Sequence, residues 1–277
     1  VNESRHRRTT VFLLPNLMTA GNLFCGFMAI LSIFEGTLQR QAAAEGWWMY
    51  YERSLFFIIG AFLCDMLDGR LARLGGQESP FGREFDSLAD IVSFGVAPAL
   101  LVFKIVLAEL PNRAGWFIAF VYLACGALRL ARFNVLAADP ETKSIKEFRG
   151  FPIPAAAGLI ASITLLLLQV YEKDREIGPW KYVLAVLMLL LSFMMFSRFS
   201  YPSFKALDWR TRRSVPQLLG VVILLGVIVL NYRYALAAVF TAYLLYGVVR
   251  PYLSRKWRPA PDIEEEADPE DGAPPPP

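Results

Sequence analysis

The stretch that decides the fold is Asp65-Met66-Leu67-Asp68-Gly69-Arg70-Leu71-Ala72-Arg73, followed after eight residues by Gly82-Arg83-Glu84-Phe85-Asp86-Ser87-Leu88-Ala89-Asp90. Long apolar runs flank it on both sides. A helix turns by about 100° per residue, so Asp65, Asp68, Gly69, Ala72 and Arg73 share an arc of roughly 140°. Met66, Leu67, Arg70 and Leu71 take the opposite side. Gly82, Asp86, Asp90, Ser93 and Ala97 line a second stripe of the same kind. Two helices thus present four carboxylates, and the small residues beside them leave room for a ligand.

The energetics indicate what kind of ligand. An Asp at the bilayer centre costs about 2.5–3.5 kcal/mol, and less near the interface. Four close together also repel, unless positive charge sits between them. Divalent cations supply it, because a dense set of hard oxygen ligands suits Mg²⁺ or Mn²⁺. Room for two ions suggests the clamp used in phosphoryl-type transfer, with metals about 3.5–4 Å apart. A single Asp at a helix end is usually just solvated. Four at a shared spacing, with glycines among them, are not explained that way.

The same segment matches without a gap the pattern D-x2-D-G-x2-A-R-x8-G-x3-D-x3-D, and on it the chain resembles the CDP-alcohol phosphotransferase family. The flanks narrow the resemblance. Leu14-Pro15-Asn16-Leu17-Met18-Thr19, Ser93-Phe-Gly-Val-Ala-Pro-Ala99, Arg129-Leu-Ala-Arg132-Phe-Asn134 and Gly150-Phe-Pro-Ile-Pro-Ala-Ala-Ala-Gly158 look like its phosphatidylserine synthase branch. The resemblance covers about residues 11 to 250 and implies an all-α integral membrane fold acting as a homodimer.

Composition points the same way. The 277 residues are 55% hydrophobic and 19% charged, with mean hydropathy +0.40, which describes a membrane protein. A net charge of +3 is too small to imply nucleic acid. Cys25, Cys64 and Cys125 sit singly in apolar runs and read as small buried hydrophobes. His6 lies in a basic arm and reads as solvated. The first apolar run is too long for a signal peptide and lacks a small-residue cleavage site.

About eight transmembrane helices are expected. A basic cytoplasmic arm (1–10) leads into a transmembrane catalytic domain (11–250), whose first helix runs from Val11 to Phe34 with Pro15 in its first turns. Trp47, Trp48, Tyr50 and Tyr51 read as an interfacial aromatic belt. A span needs about 20 residues, so the second helix must begin near Trp48 and continue through Asp65, ending at Leu74-Gly75-Gly76. The third runs from Ser79-Pro80 to about Leu107 and the fourth from Ala114 to Val135. Further helices follow over Phe151–Tyr171, Trp180–Phe196, Val215–Asn231 and Tyr234–Val249. Met188, Met194 and Met195 read as packing residues. The tail, 251–277, is cytoplasmic in this reading: Arg255-Lys-Trp-Arg258 suits anionic headgroups, and the acidic, proline-rich part after 261 reads as disordered.

Lys and Arg number twenty on the motif side of the membrane and eight on the other. The positive-inside rule therefore places the site and both termini at the cytoplasmic face of the cytoplasmic membrane.

What the resemblance implies chemically is transfer of a phosphatidyl group from CDP-diacylglycerol to an alcohol, releasing CMP. By correspondence with the family, Asp65, Asp68, Asp86 and Asp90 would bind two divalent ions. Asp90 would also act as general base on the serine hydroxyl. Gly69 and Gly82 would let the nucleotide approach, and Arg73 and Ser79 would bind it. Asn16 and Thr19, which recur with Asn22 at helical spacing, either contact the nucleotide or make helix–helix hydrogen bonds. Arg129 and Arg132 either hold L-serine or a lipid phosphate, or anchor the helix end at headgroups. Arg210, Arg212 and Arg213 read as anchors.

Two alternatives stand beside this reading. A sibling enzyme would use glycerol 3-phosphate or inositol. A divalent-cation transporter would instead spread its carboxylates through the membrane depth on several helices.

Overall fold

The computed structural model describes residues 2–74, 80–138, 150–174, 178–197 and 231–254, and among these every element is helical. Helix α1 runs Asn2–Gln41, α2 Trp48–Leu74, α3 Pro80–Asp90, α4 Ala97–Ile105 and α5 Ala114–Ala138. Then follow α6 (Ile153–Asp174), α7 (Trp180–Phe196) and α8 (Tyr232–Ser254). A wide π-helical segment, Ile91–Val96, joins α3 to α4, so the expected third helix is one span with a widened middle.

Among the described residues, three stretches are long and apolar enough to cross a membrane by themselves: Pro15–Gln41, Pro80–Ile105 and Pro111–Leu136. Shorter apolar helices lie at Ile153–Gln169, Trp180–Phe196 and Tyr234–Tyr246. Helix α2 has span length, but Glu52, Arg53, Asp65 and Asp68 break its apolar character. The expected span at Val215–Asn231 lies, apart from Asn231, outside the described residues, and so does the tail beyond Ser254. Against the eight spans expected, the described residues give these three, with α2 and three shorter apolar helices beside them.

Helix α1 is longer at both ends than its apolar run indicates, so Pro15 stands inside it and not in its first turn. Membrane helices tolerate an internal proline when freed backbone groups find other partners. Helix α1 packs most extensively on α2, and also meets α3, the π segment and α4. Glycines lie along the approach of α1 to α2. A Cβ on Gly21 would stand 3.3 Å from Cys64 Sγ, and one on Gly60 would stand 3.4 Å from Cys25 Sγ. Cys25 and Cys64, apart in sequence, are thus neighbours across this seam, and all three cysteines are free.

The centre of the bundle is α6 with α4. Ala155 to Ala161, Leu101 and Val102 are buried there. Large exposed apolar side chains, among them Phe24, Phe27, Trp116, Phe117, Phe120 and Phe193, form the lipid-facing exterior that such spans require. The aromatic cluster before α2 divides. Trp47 and Trp48 are half-buried at the end of the bundle, with Arg40 5.1 Å over the Trp47 ring. Tyr51, expected in the interfacial belt, is instead fully packed, its hydroxyl 3.2 Å from Thr37 Oγ1. Close contact between α1 and α2 at Gly36 takes it out of the interface.

Candidate active site

Helix α2 carries Asp65 and Asp68 on one face, and α3 lays Asp86 against them. Carboxylate oxygens of Asp65, Asp68 and Asp86 all fall within 4.8 Å of one another. Asp90 stands one turn beyond Asp86 and within electrostatic reach of all three. Asp68 is 5% exposed and Asp90 7%. The four carboxylates expected from spacing are therefore one cluster at the crossing of two helices.

Helix α1 supplies donors to the buried pair. Thr19 Oγ1 donates to Asp68 Oδ2 at 3.1 Å, and Asn22 Nδ2 donates to Asp90 Oδ1 at 3.0 Å. The two donors are three residues apart, so both face the cluster. Each bond satisfies only part of a carboxylate, and converging negative charge at low exposure still repels. The donor set is all oxygen and it converges, which fits a hard divalent cation. There is also space. A Cβ built on Gly69 meets nothing within 4 Å, so nothing in the packing requires a glycine there.

The second helix face is held in phase by polar contacts to its neighbours. Asn134 Nδ2 on α5 donates to Ser87 Oγ at 2.9 Å and to Glu84 Oε2 at 3.1 Å, on the helix that bears Asp86. Ser93 Oγ, in the π segment, donates to the backbone carbonyl of Asn22 at 2.9 Å. Gly26 makes this possible, because a Cβ there would stand 2.3 Å from Ser93 Oγ and 2.8 Å from its Cα.

The two arginines separate. Arg129 is 9% exposed and faces both Asp90 and Tyr243 of α8. Its Nε is buried and finds no hydrogen-bond partner among the described residues. Arg132, nearly one turn on, is half-exposed and has no hydrogen bond or ion pair among them. Asn16 is half-buried on α1, one turn before Thr19, and Gly82 lies in the first turn of α3. Arg73 ends up on α2, but its side chain, like the whole of Ser79, lies outside the described residues.

Sequence spacing missed two features. Asn22 was visible as part of a polar repeat, but its bond to Asp90 bridges 68 positions and no local pattern announces it. The π segment was masked by a stripe, Asp86-Asp90-Ser93-Ala97, that reads as continuous α-helix. Pro98 was the one local signal against that continuity.

The model of the CDP-alcohol phosphatidyltransferase family matches residues 12–196. The CDP-diacylglycerol--serine O-phosphatidyltransferase of Helicobacter pylori (strain ATCC 700392 / 26695) is 32% identical over 240 residues, which cover 87% of this chain and 91% of that protein. The protein of the same description from Bacillus subtilis (strain 168) is 34% identical over 192 residues, 69% of this chain and 91% of that one. The Saccharomyces cerevisiae protein so described is 40% identical over 151 residues, 53% of this chain and 51% of its own length.

Proposed function

The chain belongs to the CDP-alcohol phosphatidyltransferase family, and we propose that it transfers the phosphatidyl group of CDP-diacylglycerol to L-serine, giving phosphatidylserine and CMP. The observation that carries this reading is the convergence of Asp65, Asp68 and Asp86 within 4.8 Å, with Asp90 hydrogen-bonded beside them. The choice of serine rests on the relatives, each described as a serine O-phosphatidyltransferase.

Asp65, Asp68, Asp86 and Asp90 are the residues that would hold divalent metal, Mg²⁺ or Mn²⁺, as two ions in this reading. Bound there, the metal would supply the positive charge that offsets the diphosphate and the departing CMP. Gly69 leaves the approach to the cluster open, Gly82, Arg73, Ser79 and Asn16 are assigned to the nucleotide end, and Thr19 holds the Asp68 carboxylate. Asn22 orients the Asp90 carboxylate. Asp90 accepts the proton of the serine hydroxyl as the serine oxygen attacks the phosphatidyl phosphorus. A new P–O bond forms to serine, the bond from that phosphorus to the bridging oxygen breaks, and CMP leaves with that oxygen. Buried Arg129 would hold an anionic group next to Asp90, either the serine carboxylate or the lipid phosphate.

Acyl chains would remain in the cytoplasmic leaflet of the cytoplasmic membrane, with the site and both termini facing the cytoplasm, as the Lys and Arg distribution supports. A homodimer is part of the same reading. Clustering of all four carboxylates at one helix crossing disfavours a transporter, whose acidic groups would follow a path through the membrane.

The test uses purified full-length protein with CDP-diacylglycerol and, in parallel, L-serine, glycerol 3-phosphate or inositol. CMP release and phosphatidylserine formation should need serine and added Mg²⁺ or Mn²⁺. Product formation with one of the other alcohols and not with serine would reject the acceptor. Metal flux into proteoliposomes without CMP release would reject the enzyme.

A further inference from the structure

We infer that Tyr122 is a positioning residue, which acts through the π segment Ile91–Val96 to fix where the Asp90 carboxylate stands. Asp90 is the last residue of α3, and the widened turn begins directly after it. Within that turn the Ala97 N–H reaches back five residues to the Val92 carbonyl, where an α-helix would reach back four.

Pro98 gives the local reason. It has no N–H to offer the Phe94 carbonyl four residues back, and in a regular α-helix its ring would press on that carbonyl. The Tyr122 hydroxyl of α5 takes over as donor, at 3.1 Å from the Phe94 oxygen. Tyr122 is 0% exposed, so an unpaired hydroxyl there would be unfavourable and the bond holds the widened turn in place.

On its other side the same turn is fastened to α1 by Ser93, whose hydroxyl donates to the carbonyl of Asn22. Asn22 is also the residue whose side chain donates to Asp90. One residue of α1 therefore holds both the last residue of α3 and the middle of the π turn. Tightening the turn to α-helix would turn Ser93 relative to Asp90, and Asn22 could not keep both partners. Tyr122 opposes that tightening from the α5 side.

Two variants of the full-length enzyme test this, with kcat, KM and the Mn²⁺ requirement read from CMP release and the thermal midpoint read separately. Tyr122→Phe keeps the ring and removes the donor. It should lower kcat about tenfold, the loss expected for one buried hydrogen bond. Both substrate KM values should stay within about twofold, and the Mn²⁺ concentration for half-maximal rate should rise.

Pro98→Ala restores a backbone N–H that competes for the Phe94 carbonyl. It should keep or raise the thermal midpoint while lowering kcat comparably, whereas a merely structural role predicts activity that follows stability. Wild-type kcat and Mn²⁺ requirement in Pro98→Ala overturn the inference even if Tyr122→Phe fails to fold. The inference rests on Asp90 serving in the reaction, so Asp90→Asn is measured alongside. Full activity of that variant removes the Asp90 reading and this inference with it. Inactive Asp90→Asn beside fully active Tyr122→Phe and Pro98→Ala overturns this inference alone.

Discussion

Asn22 on α1 gives its side-chain amide to Asp90 on α3 at 3.0 Å, and Asn22 is completely buried. The contact fixes one carboxylate oxygen and leaves the other for a metal or a proton. Asn22→Ala removes the donor without adding charge. A hydrogen bond to a charged group is worth about 1.5–3 kcal/mol, so kcat should fall on the order of tenfold to a hundredfold. Asn22→Asp should be worse still, because a fifth carboxylate would face four. Steady-state CMP release checks both, and an Asn22→Ala enzyme with unchanged kcat would show the contact to be idle.

The companion contact, Thr19 to Asp68, touches a residue assigned only to metal binding. Thr19→Val keeps the shape and deletes the hydroxyl. The loss should appear as weaker metal binding, with the half-maximal Mn²⁺ concentration raised about tenfold and the rate at saturating metal nearly restored. A drop in kcat that excess Mn²⁺ cannot repair would place Thr19 on the substrate instead.

Removal of metal should affect stability as well as rate. Carboxylates of Asp65, Asp68 and Asp86 converge within 4.8 Å, and a cation bound among them relieves their repulsion in the folded state alone. Added Mn²⁺ should therefore raise the thermal midpoint of the chelator-treated enzyme, by about 2.7 kcal/mol of stabilisation at a hundredfold excess over its dissociation constant. Asp65→Asn combined with Asp86→Asn should abolish that rise while raising the midpoint of the metal-free protein.

Two glycines separate packing from function. Gly26 is a packing requirement, since an added Cβ would stand 2.8 Å from the backbone of Ser93. Gly26→Ala should destabilise the bundle by about 1–3 kcal/mol and lower activity with it. Gly69 has nothing within 4 Å of an added Cβ. Gly69→Ala should leave the thermal midpoint unchanged, or slightly raised by better helix propensity, while raising KM for CDP-diacylglycerol. Unchanged KM in Gly69→Ala would separate this glycine from the nucleotide.

The contrast between these glycines shows where sequence reading works. The four Asp positions were legible because local helical spacing determines which face they share, and α2 and α3 begin where the apolar lengths and Pro80 put them. Asn22, Tyr122 and Asn134 were not legible as partners of that face. Their contacts cross from one helix to another, and periodicity within a helix carries no information about its neighbour. Thr19 was legible in part. Its polar repeat was visible, and the structure shows the helix–helix bond that was one of two open readings.

Arg129 and Arg132 were indistinguishable in sequence, and the structure separates them by burial. A guanidinium buried beside Asp90 and Tyr243, its Nε without a partner among the described residues, is poorly placed to reach headgroups but well placed for an anionic substrate. Arg129→Lys keeps the charge and loses the fork that grips a carboxylate or phosphate through two parallel bonds. It should raise KM for one substrate by about tenfold or more, and the substrate affected identifies the anion: serine if the carboxylate is held, CDP-diacylglycerol if the lipid phosphate is. Arg132→Gln, at a half-exposed site, should change either KM less than about twofold. Equal and modest effects of the two substitutions would mean that both arginines only anchor the helix end.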